Sequence, residues 1–83
     1  MSPVQIKKMR SKFQLKQEQM AIALGIGTKT YGQYEIGFRK PGGSALLLMS
    51  LLDSLSLKEA LALIDDLTDV AIRLEKKSRK TSL

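Results

Sequence analysis

Cysteine and histidine are both missing from this 83-residue chain. The first absence excludes disulfides and leaves the redox compartment unmarked. Together they remove the usual zinc ligands and the commonest general base. Long apolar runs are missing as well. The longest unbroken one, Ala45 to Met49, falls far short of the ~20 residues that a membrane-spanning helix needs. Pro3 and the charges that follow it do not make a signal peptide. The chain reads as soluble and intracellular, with no cofactor implied. Its size fits one small domain, which hides only about 60–65% of its unfolded surface, and help from a partner subunit is common at this size.

What is plentiful is positive charge, and it is unevenly placed. The net charge is +6. Residues 1–40 hold eight cations against two acids, residues 41–70 one cation against five acids, and the last thirteen residues five cations against one acid. A basic first half and an acidic middle suggest a nucleic-acid face and a separate protein face. Basic charge alone would not, since many solvated domains are basic.

The stretch Gln17–Gly37 organises the rest. With a 3.6-residue period, Met20, Ala21 and Leu24 fall on one side of a short helix. Gly25 then stops it, because the residue after a helix end is often left-handed and glycine adopts that conformation without a side-chain penalty. Gly27 caps a second short helix, in which Tyr31 and Tyr34 share one face and Thr28, Lys29, Gly32 and Gln33 the other. Leu15 with Met20, and Ile26 with Tyr31, have the spacing of hydrophobic staples. Helices joined by so tight a turn meet steeply, and the second presents a polar face outward.

With these residues in place, the stretch resembles the helix-turn-helix of the Cro/CI-like (XRE) bacterial and phage regulators. Gln17, Ala21, Gly25 and the apolar Met20, Leu24, Ile26, Tyr31 and Tyr34 carry the match, and Tyr34-Glu35-x-Gly37 with Pro41 looks like the aromatic-Glu-x-Gly tail of that family. The resemblance covers roughly residues 4–53. It implies an all-α, lambda-repressor-like DNA-binding domain, and the residues beyond it extend the expectation to five helices with a long C-terminal one. Residues 1–55 would form the DNA-binding domain, residues 56–77 a dimerisation helix, and residues 78–83 a flexible tail. It also implies that Thr28, Lys29 and Gln33 read bases, that Thr30, Arg39 and Lys40 touch the DNA backbone, and that Arg10 pairs with Glu35. For Arg10 the alternative is a solvated side chain. Lys16 departs from the family, which usually places Ser or Thr there as a cap. The uncapped donors behind Lys16 are open to a DNA phosphate, with the Gln17 amide beside them, or to water.

The base-reading chemistry is reasonable for these side chains. Gln33 suits a bidentate pair with adenine, Lys29 donates to guanine O6 and N7, and Thr28 contacts a thymine methyl or accepts from a base. Lys7 and Lys12 join Lys16, Arg39 and Lys40 as candidates for phosphate neutralisation. Gly32 is the odd choice inside a helix, where glycine costs ~1 kcal/mol relative to alanine. Either that cost is tolerated, or the missing side chain lets the helix sit deeper in the groove.

Around this stretch, Ser2, Pro3 and Gln5 open a first helix with a capping box, and Val4, Ile6, Met9 and Phe13 supply its apolar side. Residues 38–43 read as a loop. Ser44 is expected to cap a helix from Ala45 to about Asp53, nearly apolar all round. Ser56 and Glu59 open a last helix expected to run to Lys77. Its stripe of Ala60, Ile64, Leu67, Ala71 and Leu74 either lids its own domain or, with Leu47 of the preceding helix, builds a two-fold dimer. The dimer is the favoured expectation, since one reading helix contacts few base pairs. Two of them ~34 Å apart would read an inverted-repeat operator.

The function expected is a dimeric, nucleoid-associated regulator of double-stranded DNA, and the family implies repression of its own operon. The tract Arg39–Leu48 also looks like the DNA-binding half of MqsA- and HigA-type antitoxins, so the alternative is an antitoxin whose last helix, or acidic Asp65, Asp66 and Asp69, grips a toxin. A zinc-bearing version is excluded by the missing ligands. The same acids offer carboxylates for a divalent metal, but nothing else resembles a catalytic constellation. No enzyme is expected.

Overall fold

Ser2 begins the first helix with both halves of a capping box. Its hydroxyl accepts from the Gln5 N–H at 3.2 Å, and the Gln5 side chain accepts from the Ser2 N–H at 2.8 Å. In this computed structural model, which describes the backbone of residues 1–81 and the side chains of residues 1–76, five helices follow in order. They are α1 (Pro3–Phe13), α2 (Gln17–Leu24), α3 (Thr28–Glu35), α4 (Gly43–Ser54) and α5 (Leu57–Thr81). There is no strand among the described residues, so the chain is all-α. No helix among them is long and apolar enough to cross a membrane.

The apolar periodicity of each helix points at one core. Ile6, Met9 and Phe13 of α1 meet Met20, Ala21 and Leu24 of α2, Tyr31 and Tyr34 of α3, Met49 and Leu52 of α4, and Ala60 and Ile64 of α5. Leu15 and Ile26, the two staple residues, pack on the rim of that cluster. α1 ends where Gln14 takes a left-handed conformation at φ 56°, its N–H returning to the carbonyls of Arg10 and Ser11. Non-glycine residues rarely adopt this conformation, and no residue type at position 14 signals it.

Two expectations change at α4. Ser44 is not its cap. The helix starts at Gly43, itself left-handed at φ 53°, with Gly42 as the N-cap and no side-chain cap bond. The two glycines let the chain turn into the helix earlier than a serine cap requires. Its C-terminus, Ser54, lies one residue past the expected Asp53.

The long helix α5 packs on the rest of the chain. It lies mainly along α2, and its apolar stripe is largely used inside the chain. Ala60 is buried and Ile64 is 5% exposed. Leu67 packs on the core's edge, and Ala71 is half-buried beside Ile22, Gly25 and Ile26. Of the five residues expected at a dimer interface, Ile64 is therefore spent on the chain's own core, Leu67 and Ala71 are partly covered, and only Leu47 and Leu74 stand exposed. The reason is geometric. α2 has eight residues, too short to enclose a core, so the long helix serves as its cover and also touches α1 and α4. α5 also continues through Thr81, past the expected end at Lys77. Residues 82 and 83 of the expected tail lie outside the described residues.

Ile64→Ala should thus destabilise the folded chain by about 2–5 kcal/mol, as large-to-small core changes do. Leu47→Ser, at a side chain 72% exposed, should change it by no more than about 0.5 kcal/mol. Urea titrations of the two variants at a concentration where the protein is monomeric check both.

Candidate nucleic-acid interface

The turn between α2 and α3 is built from local rules. Gly25 is left-handed at φ 71°, and its N–H reaches the carbonyls of Ala21 and Ile22. The Ile26 N–H closes on the Ala21 carbonyl at 3.0 Å, completing a glycine-dependent helix stop. Gly27 is then the N-cap of α3. Three residues thus separate the two helices, and α3 leaves the turn with Tyr31 and Tyr34 buried behind it. Its opposite face is open: Thr28 and Lys29 are exposed, and Thr30, Gly32 and Gln33 are half-exposed.

What holds α3 in this orientation is an ion pair at its end. Arg10 donates from Nε to Glu35 Oε2 at 2.6 Å and from Nη2 to Oε1 at 3.0 Å. Its remaining Nη1 reaches the Leu15 carbonyl at 2.9 Å, so one guanidinium joins α1, the α1–α2 loop and α3. The Glu35 side chain is 3% exposed and that of Arg10 is 18% exposed. Burial by itself pushes the Glu35 carboxyl up, but Arg10, the nearby Tyr31 hydroxyl and Gln17 outweigh it and hold the carboxyl below its ordinary range. The hydrogen bond to Glu35 correspondingly raises Arg10. The Tyr31 hydroxyl is buried without a hydrogen bond of good geometry. Burial, and then the adjacent carboxylate, push it well above the usual phenol range.

Gln17 was expected beside a DNA phosphate. Its amide nitrogen instead donates to Glu35 Oε1 at 3.0 Å, because that buried carboxylate oxygen has room for a second donor. Gln17 therefore belongs to the brace behind α3, with one amide proton left over. Lys16 is exposed at the start of α2, and its N–H is satisfied by the Gln19 side chain at 2.8 Å. No side chain caps the N–H groups that follow. Gly32 faces this corner. A Cβ placed there would meet only Gln17 Oε1, at 3.5 Å, an ordinary contact, so packing within the chain does not require glycine.

After α3 the chain stays tied to it. The Phe38 and Arg39 N–H groups both donate to the Gln33 carbonyl, at 3.0 and 3.2 Å, and Arg39 and Lys40 are exposed. Between Glu18 and Asp53 the sequence holds one acid, Glu35, and that one is buried and paired. The surface formed by the turn, α3 and its following loop therefore presents Lys29, Arg39 and Lys40 with no exposed carboxylate from its own segment. Two exposed apolar residues on this surface, Ile36 and Phe38, have no role in the sequence reading. Carrying the period of α3 one turn further would have placed Ile36 in line with Lys29 and Gln33.

Three measurements test this geometry. Arg10→Met and Glu35→Gln, alone and combined, should show coupling of about 1–3 kcal/mol in a double-mutant cycle. Either variant alone should be strongly destabilised, by about 3 kcal/mol, since each leaves a buried partner unpaired. Because the native Glu35 pKa is depressed, its stabilisation is complete above the ordinary carboxylate range, ~4.3, and is lost as pH falls through the lower native value. Thermal melting of Glu35→Gln should accordingly fall less steeply below about pH 5 than that of the unaltered protein. Gly32→Ala should raise the stability of the free protein by about 1 kcal/mol, and unchanged affinity for duplex DNA in that variant would rule out close approach at Gly32.

No known protein family matches the chain, and no match is found among curated proteins or solved structures.

Proposed function

We propose that the chain is a sequence-specific regulator that binds double-stranded DNA through α3, with the lambda-repressor-like, Cro/CI-like arrangement that its sequence resembles. One observation carries the reading. α3 stands as a polar ridge on a surface whose own segment exposes cations and no acids, braced from behind by two buried tyrosines and the Arg10–Glu35 pair. The major groove admits one helix, and its base edges are told apart by donors and acceptors. Thr28, Lys29 and Gln33 supply those groups, while Thr30, Arg39, Lys40 and Lys16 flank them as backbone contacts. A pair of chains reading an inverted repeat, at the promoter of their own operon and within the cytoplasm, completes the proposal.

A protein partner on α5 is the second reading, as an antitoxin would require. Exposed Leu61, Val70 and Ile72 lie among Asp65, Asp66 and Asp69 on that helix. Mixed apolar and acidic surface of this kind suits a basic protein rather than a nucleic acid.

Selection from a pool of random duplexes should return a preferred site. Gln33→Ala should then cost on the order of 1–3 kcal/mol and relax the preference at one base pair. Lys40→Ala should weaken all duplexes alike and reduce the slope of log K against log salt by about 0.9. Recovery of no common sequence by the unaltered protein would count decisively against the reading.

A further inference from the structure

We infer that Ile36 is a specificity-determining residue that reads the C5-methyl of a thymine, extending the reading face of α3 by one turn. The inference rests on the DNA-binding reading above and adds a residue and a ligand group to it. Ile36 follows the last residue of α3 with φ −97° and ψ −1°, and its N–H still donates to the Gly32 carbonyl at 3.3 Å. The backbone thus keeps the helical direction through this position. At 3.6 residues per turn, Ile36 falls on the line of Lys29 and Gln33, seven residues beyond the first and three beyond the second. It is 77% exposed. The residue four before it on the same helix is Gly32, so no side chain lies over it from that position.

A β-branched apolar side chain in that setting needs an apolar partner inside a polar, positively charged surface. A second copy of this surface would bring Lys29, Arg39 and Lys40 against their own kind with no exposed carboxylate of the segment to offset them. Duplex DNA supplies negative charge for the cations, and within the major groove the thymine methyl is the apolar feature that a short side chain meets. Ile36 therefore complements Gln33 by chemistry. One reads a hydrogen-bonding edge, and its neighbour on the same face reads a methyl group.

The test uses the full chain and its selected duplex, with each thymine replaced in turn by deoxyuridine, which lacks only the methyl group. One replacement per half-site should weaken binding by the unaltered protein about three- to fivefold, the factor corresponding to loss of one buried methyl contact. Ile36→Ala should bind the thymine and uracil duplexes equally, with an unchanged melting temperature, and Ile36→Val should keep part of the discrimination. The inference is overturned if no replacement affects the unaltered protein, if Ile36→Ala discriminates as well as its parent does, or if that variant instead shifts the molecular mass in solution. Insensitivity to the methyl alongside selective binding removes only the role of Ile36. Failure to select any duplex removes the DNA-binding reading and this inference with it.

Discussion

A single buried ion pair sets where the exposed helix points. Arg10 and Glu35 come from opposite ends of the first 40 residues, and their bidentate contact closes α1 onto the end of α3. Burying the two charges is costly unless every remaining hydrogen-bonding position is filled. Here most are: the Leu15 carbonyl takes a third guanidinium proton, and the Gln17 amide fills a position on the carboxylate. The network touches α1, the loop after it, α2 and α3. A helix of eight residues has little stability of its own, so its orientation is inherited from this cluster and from the tyrosines beneath it.

The division of α3 into two faces follows from the same cluster. With Glu35 and Tyr31 held inward, Lys29 and Gln33 have no choice but to face away, while Thr28 stands exposed at the first turn of the helix. The charge distribution then acts on a prepared surface. Acids are abundant only from Asp53 onward, on the far end of α4 and on α5. The segment that includes the turn and α3 carries its one carboxylate inside. The separation of signs is one of chain segments and not of whole surfaces: α5 also carries Arg73 and Lys76, and its Glu75 lies beside Gly25 and Ile26 of the turn.

Much of this was legible in advance because it depends on local chemistry. The capping box at Ser2, the Ser56 cap, the left-handed Gly25, the Gly27 cap and the inward tyrosines each follow from spacing within one or two turns, and all are present. At Ser56 only half of the expected box forms, since the Glu59 carboxylate accepts from the Ser56 hydroxyl and not from its N–H. The Arg10–Glu35 pair spans 25 residues and came only through resemblance. The second donor to Glu35 was not legible, because a glutamine at the start of a helix looks the same whether its amide faces water, phosphate or a buried acid. The use of the α5 stripe was also ambiguous. A repeat of Ala60, Ile64, Leu67 and Ala71 states that something apolar covers it, and cannot state whether that cover belongs to the same chain. Ile36 sits just beyond the end of the helix, where apolar periodicity within the helix does not mark it.

The shared Gln33 carbonyl has a mechanical consequence. Because it accepts from both Phe38 and Arg39, the loop that bears Arg39 and Lys40 cannot swing independently of the residue proposed to touch a base. On the proposed function, the span between a base edge and the phosphate beside it would then be dictated by the protein, like the fixed jaw setting of a caliper. Duplexes differ in groove width and stiffness from one sequence to another. Those whose natural dimensions already match that setting would be favoured even at positions that no side chain reaches.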